Sequence, residues 1–371
     1  MHTSKILFSI TLLFLSFAFT AQSQNLKPGF DALEYLDLLQ IFEATNNDST
    51  QTGTTKGSTL QYELLFKSPE VGLKNRWDLW LRNDQVAVIS IRGTVGHPAS
   101  WMENFYSAMV PAKGEIKTSK DSTFRYTLSE DPKAMVHVGW TLGLAYMAPY
   151  MAEKIRKLMA EKNIHNLIIV GHSQGGALTF LTTSYFYYLS QQGQLPGKLN
   201  IKTYCSAAPK PGNLFYTYDF DYISRQGMGF NVVNAADWVP ETPPTVQTFT
   251  DLNPTNPFSD AETLLGKQKW PVSWYLKSVY KKLKKSPNKS LHLYQKYYGH
   301  KVFTQVHKFL PGLQEPEYAN SFNYMKAGGP IVLMPDSAYY KIYPEISKNS
   351  FIHHSLDAYR YLVNKIYIKE N

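Results

Sequence analysis

The sequence predicts an α/β protein built on a mixed, mostly parallel sheet with helices on both faces. Segments with strand and helix patterns alternate along the chain, which is typical of that class. The apolar run at 167–170 is followed at once by a glycine-rich turn and then by a helical pattern from residue 176. A long segment, 139–161, repeats its apolar residues at helical spacing. Buried strands followed closely by helices are best accommodated in a sheet that is covered on both sides.

The individual elements follow from local patterns. Residues 47–59 are rich in Asn, Asp, Ser, Thr and Gly and indicate a loop. Residues 111–134 are polar and mixed, and they predict either a loop or a short hairpin. Helices are expected at 29–46, 139–161, from 176 onwards and at 356–366, and strands at 76–81, 85–91, 167–170, 199–205 and 230–234.

Length and composition indicate one globular unit. The chain has 371 residues, of which 43% are hydrophobic and 14% aromatic, and its formal net charge is +9. Cys205, its one cysteine, has no partner for an intramolecular disulfide, and it lies in an apolar strand pattern that predicts a buried, inert thiol. The sequence shows neither Cys/His metal spacing nor a glycine-rich phosphate loop, so we expect neither a metal nor a cofactor.

The first residues have the pattern of a targeting segment. Lys5 precedes an apolar run at 6–19, and Ala21 and Ser23 supply small residues before a cleavage point. We therefore expect a signal peptide at 1–23 and export, to the periplasm or the exterior, of a single domain at 24–371. An uncleaved membrane anchor is the alternative, although the run is shorter than a typical membrane span.

The strand-to-helix turn at Gly171-His172-Ser173-Gln174-Gly175 is the strongest chemical signal. A G-x-S-x-G turn in this position holds the serine on a strained bend, with its hydroxyl projecting from the sheet edge. Glycines on both sides avoid a clash because they carry no Cβ atom. Ser173 is therefore a candidate nucleophile, and the alternative is a glycine-rich turn that carries a solvated serine.

A serine nucleophile needs a base and a carboxylate that orients the base. Asp237 follows the strand pattern at 230–234, so we expect it at the same sheet edge as the serine. The alternative is an aspartate that only caps the turn before Pro240. Spacing alone does not select the base, for which the downstream candidates are His292, His300, His307, His353 and His354.

Six motifs in sequential order resemble those of the class 3 lipase family, the fungal-lipase-like group of α/β hydrolases. Together they extend from about residue 84 to about residue 360. They are Ile91-Arg92-Gly93-Thr94, Val136-His137-Val138-Gly139-Trp140, the elbow Gly171–Gly176, Cys205-Ser206-Ala207-Ala208-Pro209-Lys210-Pro211-Gly212-Asn213, Asn234-Ala235-Ala236-Asp237-Trp238-Val239-Pro240 and His354-Ser355-Leu356-Asp357-Ala358-Tyr359.

The resemblance implies an α/β-hydrolase fold and assigns roles. It implies that Ser173 is the nucleophile, His354 the base and Asp237 the residue that orients it. It also implies that Thr94 stabilises the oxyanion through its N–H and its hydroxyl. The N–H of Gln174 is the second donor, which the elbow geometry requires independently of the resemblance.

Two segments depart from the family pattern. The separation of 117 residues between Asp237 and His354 (354 − 237) is large, and much of it is a basic aromatic insertion at about 251–320. Residues 263–314 contain no Asp or Glu but many lysines and aromatic residues, so this stretch is either a solvated helical cap over the site or a surface that contacts anionic membranes transiently. No motif supports nucleic-acid binding. Residues 95–105 correspond to the family's lid, and an ordinary flexible loop is an equal alternative.

These observations predict a secreted serine hydrolase that cleaves carboxylic esters through an acyl-enzyme, with acylglycerol lipids as the leading substrates. The first alternative is an esterase for soluble or wall-linked esters, such as feruloyl esters. The second is a non-catalytic module that binds a membrane or a protein partner through residues 263–314.

Overall fold

The computed structural model describes residues 26–368, except for residues 54, 259 and 260. The expected signal peptide at 1–23 lies outside the described residues. Within them, no helix combines the length and the apolar character needed to cross a membrane.

A seven-stranded sheet forms the centre of the molecule. Its strand order is β1-β2-β3-β8-β9-β11-β13, and every neighbouring pair from β3 onwards is parallel, whereas β2 runs antiparallel to both of its neighbours. A four-stranded sheet (β12-β10-β7-β4) and a hairpin (β5-β6) lie outside it. In chain order the strands are β1 (Tyr62–Lys67), β2 (Trp77–Arg82), β3 (Val86–Ile91), β4 (Met109–Pro111), β5 (Lys113–Lys117), β6 (Thr123–Thr127), β7 (Met135–His137), β8 (Asn166–His172), β9 (Asn200–Ser206), β10 (Gly212–Asn213), β11 (Gly229–Asn234), β12 (Tyr324–Met325) and β13 (Gly329–Leu333).

Helices cover both faces of the large sheet, as the sequence predicted. Side chains of α1 and α10 form one apolar core against β3, β8 and β9, and side chains of α3 and α4 form another core on the opposite face. The fold is that of the α/β hydrolases. The helices are α1 (Ala32–Asn46), α2 (Pro98–Phe105), α3 (Val138–Lys162), α4 (Gln174–Gln191), α5 (Leu214–Ile223), α6 (Ala261–Gly266), α7 (Val272–Tyr294), α8 (Val302–Phe309), α9 (Ser337–Ile342) and α10 (Leu356–Tyr367).

Local sequence explains the strands and helix ends that position the site. All seven residues of β8 are buried, which suits a parallel strand that is covered on both faces. The Asp31 side chain caps α1 by accepting hydrogen bonds from the N–H groups of Leu33 and Glu34, each at 3.0 Å. Ser355 caps α10 in the same way and so fixes the chain just after His354.

Several elements were absent from the sequence predictions. Strands β1 and β13 at the two ends of the sheet were not predicted. Most of their residues are exposed or only partly buried, as is typical of edge strands. Residues 111–134, predicted as a loop or a hairpin, contain the antiparallel pair β5-β6. Residues 98–105, for which a lid and a flexible loop were equal alternatives, form the helix α2, which Pro98 begins and His97 caps.

The basic aromatic insertion is mostly helical. It contains α6, α7 and α8, and the backbone between α7 and α8 is a π-helix at Gln295–Lys301. The chain then returns to the sheet as β13, which pairs with β11.

Candidate active site

Ser173 lies at the turn between β8 and α4, in a strained backbone conformation with φ = 62° and ψ = −130°. The neighbouring glycines are required by close backbone contacts. A Cβ atom on Gly171 would lie 2.8 Å from the nitrogen of Gly176, and one on Gly175 would collide with the carbonyl oxygen of Ile91. The geometry is that of the nucleophile elbow expected from the sequence.

Three of the candidate residues follow parallel strands at one sheet edge. Thr94 follows β3, Ser173 follows β8, and Asp237 follows β11. Because β3, β8 and β11 run in the same direction, their carboxyl ends lie at the same edge, where α/β proteins place their ligand sites.

Asp237 and His354 form a direct pair. The Nδ1 atom of His354 lies 2.7 Å from Oδ2 of Asp237. The aspartate is almost completely buried, and it also accepts hydrogen bonds from the hydroxyl of Tyr359 at 2.9 Å and from the N–H of Val239 at 3.0 Å. Three donors therefore hold this carboxylate in the low-dielectric interior, where an unpaired charge would be costly.

The other histidine candidates lie elsewhere. The Nδ1 atom of His353 contacts the hydroxyl of Tyr339 at 2.8 Å, not Asp237. His292 lies in α7, His300 in the π-helix and His307 in α8, outside the cavity described below. The structure therefore pairs His354, of the five, with the aspartate, which agrees with the residue that the motif resemblance selected.

His172 supports the backbone of His354. Its Nε2 donates to the carbonyl oxygen of His354 at 2.8 Å, and its Nδ1 accepts from the hydroxyl of Ser206 at 2.9 Å. The Ser206 hydroxyl also lies 2.6 Å from the hydroxyl of Tyr35. Burial, and then the nearby imidazole of His354, hold the pKa of His172 well below its usual range. His172 is therefore neutral and supports the structure of the site.

Ser173 and His354 line one cavity together with Thr94 and Gln174. Within the described part of the chain, no direct hydrogen bond joins the Ser173 hydroxyl to His354. Because Nδ1 of His354 is already paired with Asp237, its Nε2 is the ring nitrogen left to face the serine. Catalytic hydrogen bonds are commonly long in ligand-free enzymes and shorten when substrate binds.

The loop at residues 92–94 is anchored from both sides. The guanidinium of Arg92 donates to the carboxylate of Glu70 at 2.6 Å and to the carbonyl of Lys74 at 2.8 Å. The Nδ2 atom of Asn104 donates to the hydroxyl oxygen of Thr94 at 2.9 Å, and Oδ1 of Asn104 accepts from the indole N–H of Trp140 at 3.1 Å. The hydroxyl hydrogen of Thr94 is therefore left for another acceptor.

The cavity has a volume of about 610 Å³, and its wall is mainly aromatic and aliphatic. Among the described residues that line it, none is Asp, Glu, Lys or Arg. Tyr298, in the π-helix of the insertion, contributes to the wall, so the insertion forms part of the site.

Exposed aromatic rings surround the cavity. Phe351 lies 6.3 Å from Trp101 and 5.4 Å from Trp238, measured between ring centroids, and Trp101 stacks with Phe105 at 6.5 Å. All four side chains line the cavity and retain substantial solvent exposure. An opening lined by rings in this way suits an apolar substrate group.

No cluster of His, Cys, Asp or Glu that could hold a metal ion occurs in the described part of the chain. Cys205 is fully buried, and burial raises the pKa of its thiol well above the usual range, as expected for an inert thiol.

Sequence reasoning missed several supporting residues. Tyr359 was quoted as part of a motif, and its place one turn into α10 could have signalled a contact with the residues before that helix. Asn104 and Tyr298 gave no signal, because their roles depend on how α2 and the π-helix pack against the sheet edge. Asn104 contacts Thr94 across ten residues, and Tyr298 comes from an insertion whose path the sequence does not reveal.

A comparison with known families decides the assignment. Residues 88–247 match the model described as "Lipase (class 3)". This segment belongs to the class 3 lipase family. It contains the loop with Thr94, the elbow with Ser173 and the acid candidate Asp237, whereas His354 lies beyond it.

Individual relatives share only low sequence identity with this chain. A secreted mono- and diacylglycerol lipase of Malassezia globosa is 24% identical over 181 residues, which are 49% of this chain and 54% of that protein. The chain thus spans about half the length of that curated relative. A triacylglycerol lipase from Penicillium expansum is 16% identical, with coverage of 58% of this chain and 74% of that chain and a TM-score of 0.40. A fungal lipase–inhibitor complex is 15% identical, with coverages of 57% and 74% and a TM-score of 0.43.

Proposed function

We propose that this protein is a serine hydrolase that cleaves carboxylic esters through an acyl-enzyme, with acylglycerol-type lipids as its main substrates. The observation that carries the proposal is the His354–Asp237 contact of 2.7 Å beside a strained serine in one cavity. A nucleophile, a base and the group that orients the base are what acyl transfer requires.

The chemical steps follow from the positions of the groups. Ser173 attacks the ester carbonyl carbon while Nε2 of His354 accepts the hydroxyl proton, and Asp237 stabilises the imidazolium that forms. The N–H groups of Thr94 and Gln174, with the Thr94 hydroxyl, donate to the oxyanion. His354 then protonates the alcohol as it leaves, and a water molecule activated by the same imidazole releases the acid from the serine.

The cavity supports lipid esters as the substrate class. A cavity of about 610 Å³ whose described lining residues include no Asp, Glu, Lys or Arg favours uncharged, apolar groups over polar or ionic ones. The relative from Malassezia globosa is named a mono- and diacylglycerol lipase, which agrees with this class. That relative is also described as secreted, which supports the export that the sequence at 1–23 predicts for this chain.

Covalent labelling tests the catalytic proposal. A fluorophosphonate probe should label the wild-type chain and the exposed-serine control Ser122→Ala equally, and should fail to label Ser173→Ala. His354→Ala should lower both labelling and ester hydrolysis by a factor of about 10³ or more, because the serine then lacks its base. Undiminished labelling of Ser173→Ala would refute the assignment of the nucleophile.

A substrate series tests the lipid proposal. Esters of one alcohol with acyl chains of increasing length should show kcat/KM rising with chain length until the cavity is filled. A methyl ferulate substrate should be slow by comparison, because a polar phenol gains little from this wall. A preference for the feruloyl ester over every aliphatic ester would favour the esterase alternative.

A further inference from the structure

The first part of the insertion presents an amphipathic helix that the rest of the molecule hardly covers. In α7, of 23 residues, only Leu291 near its C-terminal end is fully buried. Four apolar residues repeat at the spacing of one helix face: Val272, Leu276, Val279 and Leu283. Val272 and Leu283, at the two ends of this stripe, are exposed, and the other two are only half-buried.

Tyr280 attaches α7 to the segment that precedes it in the chain. The ring of Tyr280 stacks on that of Phe249 at 5.3 Å, and its hydroxyl donates to the carbonyl of Phe258 at 3.1 Å. This attachment occupies one side of the helix. Trp270 and Trp274 at its N-terminal end stay exposed, at 83% and 67% of their surfaces.

Lysines dominate the side of the helix that is opposite the apolar stripe. The segment 263–314 contains no acidic residue, and Lys277, Lys281, Lys282 and Lys285 are all exposed. On a helical projection these four lie away from the apolar stripe. Trp274 lies two residues from both Val272 and Leu276, so on the same projection it falls on the lysine side of the helix. An apolar stripe opposite a lysine face that carries a tryptophan is typical of helices that lie in the plane of a lipid surface.

We propose that α7, with Trp270 before it, is a docking surface for anionic lipid membranes. The lysines would meet the negative headgroups while the exposed ends of the stripe enter the boundary with the acyl chains, and Trp274, on the lysine side, would lie at the level of the headgroups. A second copy of this chain is disfavoured as the occupant, because it would bring the same positive charges together. A nucleic acid would use the lysines but would leave the exposed aliphatic side chains of Val272 and Leu283 without a partner.

The docking surface is joined directly to the catalytic cavity. The helix α7 continues without interruption into the π-helix, where Tyr298 lines the cavity. The carbonyl of Tyr298 accepts a hydrogen bond from the N–H of Ala108 at 3.2 Å, which fixes this end of the insertion to the main domain. Docking through α7 would therefore hold the cavity close to a membrane that contains ester substrates. The docking itself does not depend on catalysis.

Vesicle binding tests the proposal independently of activity. The full chain with Ser173→Ala, which leaves vesicle lipids intact, is mixed with vesicles of phosphatidylcholine alone or with 30% phosphatidylglycerol, and bound protein is measured by sedimentation. We expect binding to the anionic vesicles that weakens as salt is raised, and little binding to the neutral ones.

Two sets of four substitutions separate the local surface from the overall charge. In the first set, Lys277, Lys281, Lys282 and Lys285 are changed to Gln. Each lost charge should lower the partition coefficient of the protein onto anionic vesicles about fivefold, so the four together should lower it by a factor of several hundred. In the control set, the exposed lysines Lys120, Lys157, Lys162 and Lys198 are changed to Gln, and partitioning falls by no more than a few-fold. Thermal unfolding of both sets verifies that the fold is retained. Equal losses in the two sets, or no loss in the first, would overturn the proposal.

The tryptophans distinguish lipid from other polyanions. Changing Trp270 and Trp274 to Ala should weaken partitioning to anionic vesicles about tenfold or more, and Trp fluorescence of the parent chain should shift to the blue on binding. A chain that binds heparin or duplex DNA with the same lysine dependence, and that does not need the tryptophans for vesicle binding, would make α7 a general polyanion site and would refute lipid docking.

Discussion

The position of α2 leads to a prediction about activation at a lipid–water interface. This helix follows the loop with Thr94, where the class 3 lipases are expected to carry a lid. If α2 had to move away before substrate entered, the rate would rise abruptly when substrate forms a separate phase. The contacts of α2 in this chain argue against such a movement.

Buried polar contacts hold α2 in place. Glu103 is completely buried and accepts a hydrogen bond from Asn75 at 2.8 Å. The hydroxyl of Ser100 lies 3.2 Å from Oε1 of Gln174, whose Nε2 lies 3.3 Å from the carbonyl oxygen of Ser100. Asn104 bonds to Trp140 and Thr94, as described above.

These contacts set the cost of opening. Five hydrogen bonds at a net value of about 1 kcal/mol each give about 5 kcal/mol, so an open form would be populated at roughly 1 part in 10³ to 10⁴. The cavity meanwhile reaches the surface past the exposed rings of Trp101 and Phe105, which α2 itself supplies. Opening is therefore both costly and unnecessary.

We expect the rate of hydrolysis of a neutral short-chain triglyceride to rise by less than about twofold as the substrate concentration crosses the solubility limit. The variant Asn75→Ala, which loosens α2, supplies a second test, because the lid hypothesis predicts a faster reaction on dissolved substrate. Burial raises the pKa of Glu103 well above its usual range, so the lost hydrogen bond is to a neutral carboxyl and is worth about 1 kcal/mol. If α2 acted as a lid, loosening it would raise the rate on dissolved substrate about fivefold.

Because Asn104 in α2 positions Thr94, we expect Asn75→Ala to leave that rate unchanged or to lower it. The assay is initial-rate titration of released acid across the solubility limit, with both chains at equal concentration and with neutral emulsifier only, so that docking through α7 does not contribute. A step of tenfold or more, together with a faster Asn75→Ala, would refute the reasoning.

Three further outcomes follow from single contacts. Gly175→Ala forces a Cβ atom into a strand carbonyl and should destabilise the fold by about 3 kcal/mol, whereas Gly96→Ala, with nothing within 4 Å of the new atom, should leave the melting temperature unchanged. Tyr359→Phe removes a donor to the buried Asp237 carboxylate and should cost about 1.5–3 kcal/mol in urea unfolding at neutral pH. Burial raises the pKa of Asp78 to about 6, so its ionisation opposes folding as pH rises from about 4 through 6. Asp78→Asn should therefore match the parent near pH 4 and gain up to about 3 kcal/mol in the free energy of unfolding at pH 8. A difference that does not depend on pH would contradict this linkage.

The elements that carry the chemistry could be predicted because their signals are local. A buried apolar strand, two glycines and a helix start determine the elbow at Ser173 without reference to the rest of the chain. Motif order then selected Asp237 and His354, and the observed pairing of these side chains agrees with that selection.

The parts that escaped prediction depend on contacts between segments far apart in the chain. Strand β13 is recognisable only through its pairing with β11, and its own burial is slight. The lid question at 95–105 could not be answered from residues of that segment alone. The answer lies in Asn75 and Gln174, one before it and one well after it in the sequence.

The distribution of charge connects the two proposals. Among the described residues, the cavity wall has no Asp, Glu, Lys or Arg, which suits the apolar esters proposed as substrates, whereas the positive charge of the insertion is concentrated on an exposed helix that merges into that wall. Long-range attraction to an anionic surface and short-range selection of an apolar ester are therefore assigned to different residues. Substitutions in α7 should then change the rate on anionic vesicles through binding alone and leave kcat on a dissolved ester unaltered. A loss of kcat on the dissolved ester would mean that the insertion shapes the cavity more than it recruits the membrane.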